Sequence, residues 1–392
     1  MDQRCPVAII SNSCPPYRSA LHHRIVRELP QLEVHSVFTH EWGDVTHAFR
    51  DMPDIRPISF GAGENFMEQD RAGRSIHEWK KAGRIIRWMR EQRVRVVVVG
   101  GYNDVGRLRI MRWCHHHRVP CLMQADSNIH SDLATGARGW IKRRLLARVV
   151  RWCDGILVCG RLGKEYFLKY GADPKSIFVS PYEPDYALIQ NLPEALLQRT
   201  RERFKLNESR RRIVYSGRLI SVKRVDLLID AFAAIADSRP EWDLLIIGDG
   251  TLRQELTSRV PERLASRVQW TGFLDDQPAI SAMYRLSDVL VLASDHEPWA
   301  VVINEAVAAG MAVVASHVVG AAAELVSDGV NGRIFSAGNL GELTKCLEDV
   351  TDPAKIDAMK DHSAAMLSAW RERGDPINGL RQALIHSGVF SA

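Results

Sequence analysis

The sequence has no long uninterrupted apolar run, no closely paired cysteines and no segment of biased composition. Its most apolar long window, Ala306–Leu325, is broken by Ser316, His317 and two glycines. It reads as helix, turn, strand and turn, not as a membrane span of ~20 residues. The first apolar run, Val7–Ile10, is too short for a signal-peptide core. The seven cysteines, at 5, 14, 114, 121, 153, 159 and 346, are scattered, odd in number and lack a Cys-x2-Cys pair. Reduced thiols in a cytosolic protein are expected, serving as core filler rather than as a disulfide framework or zinc site. Gly-x-Gly-x-x-Gly is missing too. Gly248-Asp-Gly250 is followed by Arg253 where the third glycine would stand, which argues against a dinucleotide-dependent oxidoreductase.

The 392 residues suffice for two ordinary domains, and 46% hydrophobic with 25% charged residues is a soluble globular composition. The net charge of +5 conceals an asymmetry. Residues 1–190 hold 29 basic against 20 acidic side chains, and 81–151 alone hold 16 against 4. The first half is therefore expected to face something anionic.

Short β-branched runs alternate with helical patterns. The predicted strands of the first half are Val7–Ser11, Arg95–Gly100, Pro120–Ala125, Gly155–Cys159 and Ile177–Ser180. Those of the second are Arg212–Ser216, Asp243–Gly248, Arg267–Gly272, Asp288–Ala293, Ala312–Ser316 and Gly332–Phe335. Continuous apolar strands such as Val96–Val99 need cover on both faces, so they belong in parallel sheets between helices. Amphipathic stretches fill the gaps, among them Val225–Ser238, Leu252–Leu264, Glu305–Gly310 and Leu340–Val350. The fold class is α/β, with two doubly wound Rossmann-like domains. The expected division is 1–190 and 191–374, with Pro181–Leu206 as linker and a last helix, within 375–392, returning to the first lobe.

Glu297-Pro-Trp-Ala-Val-Val-Ile-Asn-Glu305 carries the strongest chemical signal. Glu297 falls at the C-terminal end of a predicted strand, where open α/β sheets bind ligands. Pro298 suits the first turn of a helix, which puts Glu305 roughly 10 Å farther along the axis. That distance matches a pyrophosphate between a sugar and a ribose, each carboxylate accepting from one of them. Backbone N–H groups of Trp299, Ala300 and Val301 would point at the phosphates. A carboxylate complementing a helix dipole explains the same spacing. Gly217-Arg218-Leu-Ile-Ser-Val-Lys223 follows another predicted strand. Gly217 allows a tight turn, while Arg218 and Lys223 can stabilise a leaving diphosphate without a metal. A solvated basic loop would look similar.

Taken in order from Val214 to Phe335, these segments resemble the family 4 glycosyltransferases, also called glycosyl transferases group 1, of GT-B fold. The matching stretches are Ser216-Gly-Arg-Leu with Lys223, Asp226–Phe232, Leu245–Gly250, Thr271-Gly-Phe273, Ser287-Asp-Val289, Ala293–Glu297 to Glu305-Ala306, Gly320, Glu324 and Asp328–Gly332. The resemblance implies two domains facing a cleft and a retaining transfer from a nucleotide-sugar, with no cofactor and no metal. Arg218 and Lys223 would hold the diphosphate, Glu305 the ribose, Glu297 the sugar, and Phe273 would lie near the base. Two positions depart from the family: Ala300 stands where glycine is usual, and Ala312 where proline is usual.

The first half resembles the family less closely. Cys14-Pro-Pro-Tyr-Arg18 replaces a Gly-Gly loop and looks like a Pro-Pro-Tyr-Arg subgroup. Tyr17 and Arg18 are candidates for the acceptor side, Arg18 for a phosphate, though a proline-fixed turn with a surface arginine fits as well. Asp126-Ser-Asn128 offers Asp126 beside the donor sugar and Asn128 on the acceptor side; an Asx-type turn is the alternative. Gly139–Trp152 interleaves five basic residues with Trp140, Ile141, Leu145, Leu146, Val149 and Val150. It is a candidate for docking on an anionic membrane, or a core-packed helix with a solvated basic face.

The expected function is sugar transfer to a glycan or lipid-linked acceptor in polysaccharide or glycoconjugate synthesis, in the cytoplasm or peripherally on the inner face of a membrane. No nucleic acid is expected as partner. A non-catalytic binding module or a nucleotide-sugar epimerase of the same fold is the alternative. His115-His116-His117 carries no metal expectation, because consecutive helical residues point apart.

Overall fold

A computed structural model describes residues 4–41, 52–65, 74–132 and 134–391. The chain forms two compact units, Met1–Pro184 with Gly374–Ala392, and Asp185–Arg373.

Among the described residues the first unit holds seven strands: β1 (Cys5–Ser11), β2 (Leu32–Phe38), β3 (Ile58–Ser59), β4 (Val96–Gly100), β5 (Cys121–Ala125), β6 (Gly155–Val158) and β7 (Ile177–Val179). They pair in parallel in the order β3-β2-β1-β4-β5-β6-β7. Alternate residues of the apolar runs enter opposite cores. Ala8, Ile10, Val97 and Val99 pack with Ile85, Ile110, Leu146 and Phe167 from the helices that follow β3, β4, β5 and β6. Val7, Ile9, Val96 and Val98 pack with Leu21 and Ile25 of helix Pro16–Glu28 and with Leu380 and Leu384 of helix Pro376–His386. Each fully buried aliphatic side chain contributes about 1.5–3 kcal/mol. Gly379 lets the last helix press on β7, since a Cβ there would lie 1.9 Å from the Val179 carbonyl oxygen. Arg24 locks that helix by reaching Asp375 at 2.7 Å while also pairing with Glu28 and Glu183.

Strand β2 was not among the predicted strands, because His35 and Ser36 interrupt its apolar pattern. Both are buried, and Ser36 Oγ lies 2.7 Å from His22 Nδ1. A polar partner on the neighbouring helix lets a polar pair occupy a central strand.

The second unit holds β8 (Arg211–Ser216), β9 (Trp242–Ile247), β10 (Val268–Gly272), β11 (Val289–Leu292), β12 (Ala312–Ser316) and β13 (Gly332–Phe335). Their order is β10-β9-β8-β11-β12-β13, all parallel. The order reverses between β8 and β11, and the crevice at such a reversal is where open α/β sheets bind ligands. Helix Tyr186–Gln190 belongs to this unit and not, as the expected division had it, to the first. Asn304 Nδ2 donates to the Tyr186 hydroxyl at 2.9 Å, and the Arg371 guanidinium lies over the Tyr186 ring. Leu252–Leu264 is not one helix but two segments, Arg253–Arg259 and a 3-10 turn Glu262–Arg267. Pro261 cannot donate a helical bond and holds Val260 extended. Among the described residues no helix is long and apolar enough to cross a membrane.

Candidate functional site

Loops from the C-terminal ends of β8 and β11 meet at the reversal of strand order. After β8, Gly217 has a φ of +152° and its N–H donates to the Ile247 carbonyl at 2.9 Å. The loop after β9 presses against it. A Cβ on Gly248 would stand 2.0 Å from the Gly217 oxygen, and one on Gly250 2.4 Å from the Leu219 oxygen. Gly248 and Gly250 are therefore packing devices for the Gly217–Lys223 loop. Arg218 is exposed, and its carbonyl accepts from the Tyr215 hydroxyl at 2.7 Å. Lys223 ends a 3-10 turn, Ser221–Lys223, ahead of helix Val225–Ile235.

After β11 the chain stays irregular until Val301, so Pro298 lies outside helix Val301–Ala308 and not in its first turn. Ala300 is the N-cap residue, in a left-handed conformation with φ +77°. A glycine would adopt this without cost, whereas an alanine is strained there. Trp299 turns its ring inward, 3% exposed and 5.8 Å from the Trp370 ring, so only its backbone is available to a ligand. Gly320 lets the β12 loop close beneath, since a Cβ there would meet the Pro298 oxygen at 2.0 Å. Its N–H donates to the Glu297 carbonyl at 3.2 Å. At Ala312, the other departure from the family, the N–H donates to the Asp288 carbonyl at 2.9 Å, a bond that proline would forgo.

Lys223 and Glu297, 74 positions apart in sequence, form an ion pair with 16% and 12% of their side chains exposed. The Asp295 N–H donates to the Val222 carbonyl at 2.9 Å, and Arg224 Nη1 donates to Asp295 Oδ2 at 3.0 Å. These contacts clamp the two loops together.

Glu305 sits one turn into the helix. Gln277 Nε2 donates to its Oε1 at 3.0 Å, and the Tyr284 hydroxyl, 2.7 Å from Ser216 Oγ, also bonds it. The residue keeps some accessible surface, but its carboxyl end is withdrawn from water. Burial pushes its pKa up to about 7, against the lowering effect of Gln277 and Tyr284. Those two residues escaped the sequence reading because nothing local marks them; only the fold brings them to Glu305. Phe273, directly after β10, exposes 54% of its surface.

In the first unit Arg18 is buried between the rings of Tyr17 and Tyr182, and its Nη1 donates to the Ser13 carbonyl at 2.7 Å. It is thus not the surface arginine of the simpler reading. Asn128 is buried too, and its Oδ1 caps the turn Ile129–Ser131 by accepting from the His130 N–H at 2.7 Å. Asp126 is exposed at the end of β5. The ligand atoms of His40, Glu64 and Glu78 lie within 4.8 Å of one another. There the Lys81 ammonium bonds both carboxylates, at 2.7 and 2.9 Å, and supplies the positive charge itself.

Comparison with known proteins places this site in context. Residues 198–361 match the family model described as "Glycosyl transferases group 1". An alpha-D-kanosaminyltransferase of Streptomyces kanamyceticus is 29% identical over 192 residues, covering 48% of this chain and 49% of its own. A 2-deoxystreptamine glucosyltransferase of the same organism is 27% identical over 237 residues, covering 60% and 59%. The chain spans about half the length of these curated relatives. Among solved structures, Anabaena HepE in complex with UDP and glucose aligns over 99% of this chain and 100% of its own, with a TM-score of 0.71 at 17% identity. Sucrose-phosphate synthase from Thermosynechococcus elongatus aligns over 98% of both, with a TM-score of 0.75 at 18% identity. The fold is GT-B.

Two substitutions test the geometry. Ala300→Gly should raise stability by about 1 kcal/mol, because relief of the left-handed strain exceeds the added chain entropy; chemical denaturation reads it. Glu305 has a folded-state pKa above its ordinary carboxylate value. Its contribution to stability is therefore full below about pH 4.5 and lost as pH rises through about 7. Glu305→Gln should leave stability at pH 5 nearly unchanged and raise it at pH 8 by on the order of 2 kcal/mol. Parallel stability–pH curves for the two proteins would contradict the burial of this carboxyl.

Proposed function

We propose that the chain is a retaining glycosyltransferase that moves a sugar from a nucleotide-sugar donor to an acceptor hydroxyl without a metal ion. The observation that carries this reading is the meeting of Lys223 and Glu297 at the reversal of strand order, beside the start of helix Val301–Ala308. The match of residues 198–361 and the named transferases among the relatives support it.

The chemistry requires positive charge where the diphosphate departs. Arg218 grips phosphate oxygens, and Lys223 exchanges Glu297 for the diphosphate. The N–H groups of Trp299, Ala300 and Val301 and the helix dipole add to that field. Glu297, released from Lys223, accepts from hydroxyls of the donor sugar. Glu305, ionised above about pH 7, accepts from the ribose hydroxyls, Phe273 packs near the base, and Gly217 lets the backbone approach the diphosphate. The bond from the anomeric carbon to the diphosphate breaks as the acceptor oxygen bonds the same face, and the acceptor proton passes to a diphosphate oxygen. In this reading Asp126 is assigned to the donor sugar and Tyr17, Arg18 and Asn128 to the acceptor, the two buried ones acting by holding their loops.

The acceptor we favour is lipid-linked, met in the cytoplasm at the inner face of an anionic membrane. Helix Gly136–Val150 leaves Trp140 60%, Ile141 51% and Leu145 59% exposed, beside exposed Arg143, Arg144 and Arg148. Leu146, Val149 and Val150 face the core, and Lys142 is committed to Asp132 at 2.8 Å. With exposed Arg138, the exposed group of this helix is thus three apolar and four basic residues. Each basic residue contributes about 1 kcal/mol near an anionic surface.

The donor reading is tested with UDP-, GDP- and ADP-sugars in EDTA. One donor should turn over in EDTA, Lys223→Ala or Arg218→Ala should each cut turnover ~10²-fold or more, and proton NMR should find the donor's anomeric configuration in the product. Activity restored only by magnesium or manganese, or an inverted linkage, would overturn it. In vesicle sedimentation at low salt, the chain should pellet with anionic and not with neutral vesicles, and Trp140→Ala with Leu145→Ala should release it. Equal recovery with both vesicles would refute the membrane surface.

A further inference from the structure

The second sheet has an opposite end, where its strands begin, and a cavity of about 280 Å³ opens there. Lys205, Arg210, Arg212, Asp243 and Arg267 line it, so four cations face one carboxylate. A shallower recess shares Lys205, Ser266 and Gln269 with it. The donor loops leave the far ends of β8 and β11 in the same parallel sheet, so the two regions are separated by the length of the sheet.

Neutral groups hold the cations in place. Arg212 is buried, and its guanidinium donates to the carbonyls of Leu286 and Asn207. Arg267 donates to the carbonyls of Ala236, Arg239 and Trp242. Carbonyls fix the direction of these side chains but do not cancel their charge. Burial lowers the pKa of both and Arg210 adds to that, against the carboxylates of Asp243 and, for Arg212, Asp288, which raise it. Arg210 Nε donates to Asp243 Oδ2 at 2.6 Å. Asp243 Oδ1 is buried and accepts no hydrogen bond among the described residues, and Arg267 Nε lies 3.9 Å from it. Lys205 is exposed at the rim, in a left-handed conformation after helix Glu194–Arg203. The cavity thus has surplus positive charge and one buried acceptor without a donor. Neither is required by an α/β sheet, whose strand starts can be closed with apolar residues, and both carry a desolvation cost unless a ligand offsets it.

We propose that this cavity is a second ligand site, for a small phosphate ester that also bears hydroxyl groups, the sugar-phosphate class. The phosphate lies among Lys205, Arg210 and the fixed guanidiniums, and a hydroxyl donates to the Asp243 carboxylate that lines the cavity. The volume is just under the ~300 Å³ at which small-molecule sites begin, which suits one such molecule and excludes a nucleotide-sugar. The site does not rest on the donor reading.

Calorimetric titration of the full chain tests it, with glucose 6-phosphate and inorganic phosphate as probes. The Arg218→Ala/Lys223→Ala variant is the background, so that the donor loops cannot supply the phosphate contacts. Glucose 6-phosphate should bind one to one and tighter than inorganic phosphate. Lys205→Ala, at an exposed position, and Arg210→Gln should each weaken both probes at least 10-fold. Asp243→Asn should erase the preference for the sugar phosphate. Absence of saturable binding, equal affinity for the two probes, or affinities unmoved by Lys205→Ala would overturn the site. Loss of binding in the Arg218→Ala/Lys223→Ala background alone would assign the phosphate to the donor loops instead.

Discussion

The pairing of Lys223 with Glu297 joins the two loops on which the candidate site depends. Each residue lies outside the six strands of the sheet, Glu297 on a segment tied by an isolated bridge to Val319 and Lys223 on a 3-10 turn. The ion pair, the Asp295–Val222 backbone bond and the Arg224–Asp295 bridge turn two independent loops into one wall. A partly buried charge keeps its geometry only when it is paired. Removing either member takes away the ion pair that joins the two loops in a crevice largely withdrawn from water.

Close backbone approach is the second requirement, and small residues meet it. Gly248, Gly250 and Gly320 each face a carbonyl oxygen nearer than any Cβ could tolerate. They bring the ends of β8, β9, β11 and β12 within reach of one ligand. Ala300 is the exception: it holds a left-handed backbone with a methyl group attached. Strain of this kind persists where the surroundings over-determine the conformation. Here the Ala321–Trp299 bond and the buried Trp299 ring on one side, and the helix on the other, leave Ala300 no alternative.

Much of the second unit was legible because its signals are local. A continuous apolar strand, a glycine and a cation on the following turn recur in one short window, and β8, β9, β11 and β12 lie within a residue of where the patterns put them. The first unit was less legible because polar residues are used inside it. His35 and Ser36 hide β2, and β3 has only two residues, Ile58 and Ser59. Pro261 split a helix that amphipathic periodicity alone would have continued.

Sequence alone determined the α/β class, the parallel sheets and the identities of Arg218, Lys223, Glu297 and Glu305 as the residues to watch, because each follows from short-range pattern at the end of an apolar run. Tertiary structure alone decided their partners. Lys223 finds Glu297 across 74 residues, and Glu305 is set under Gln277 and Tyr284. Arg18 and Asn128 turn inward, and four cations near the starts of two strands, with Asp243 of a third, enclose one cavity. Burial, and with it the pKa of a carboxyl or the cost of an unmatched charge, belongs to the packed surroundings of a side chain, and no window of sequence contains those surroundings.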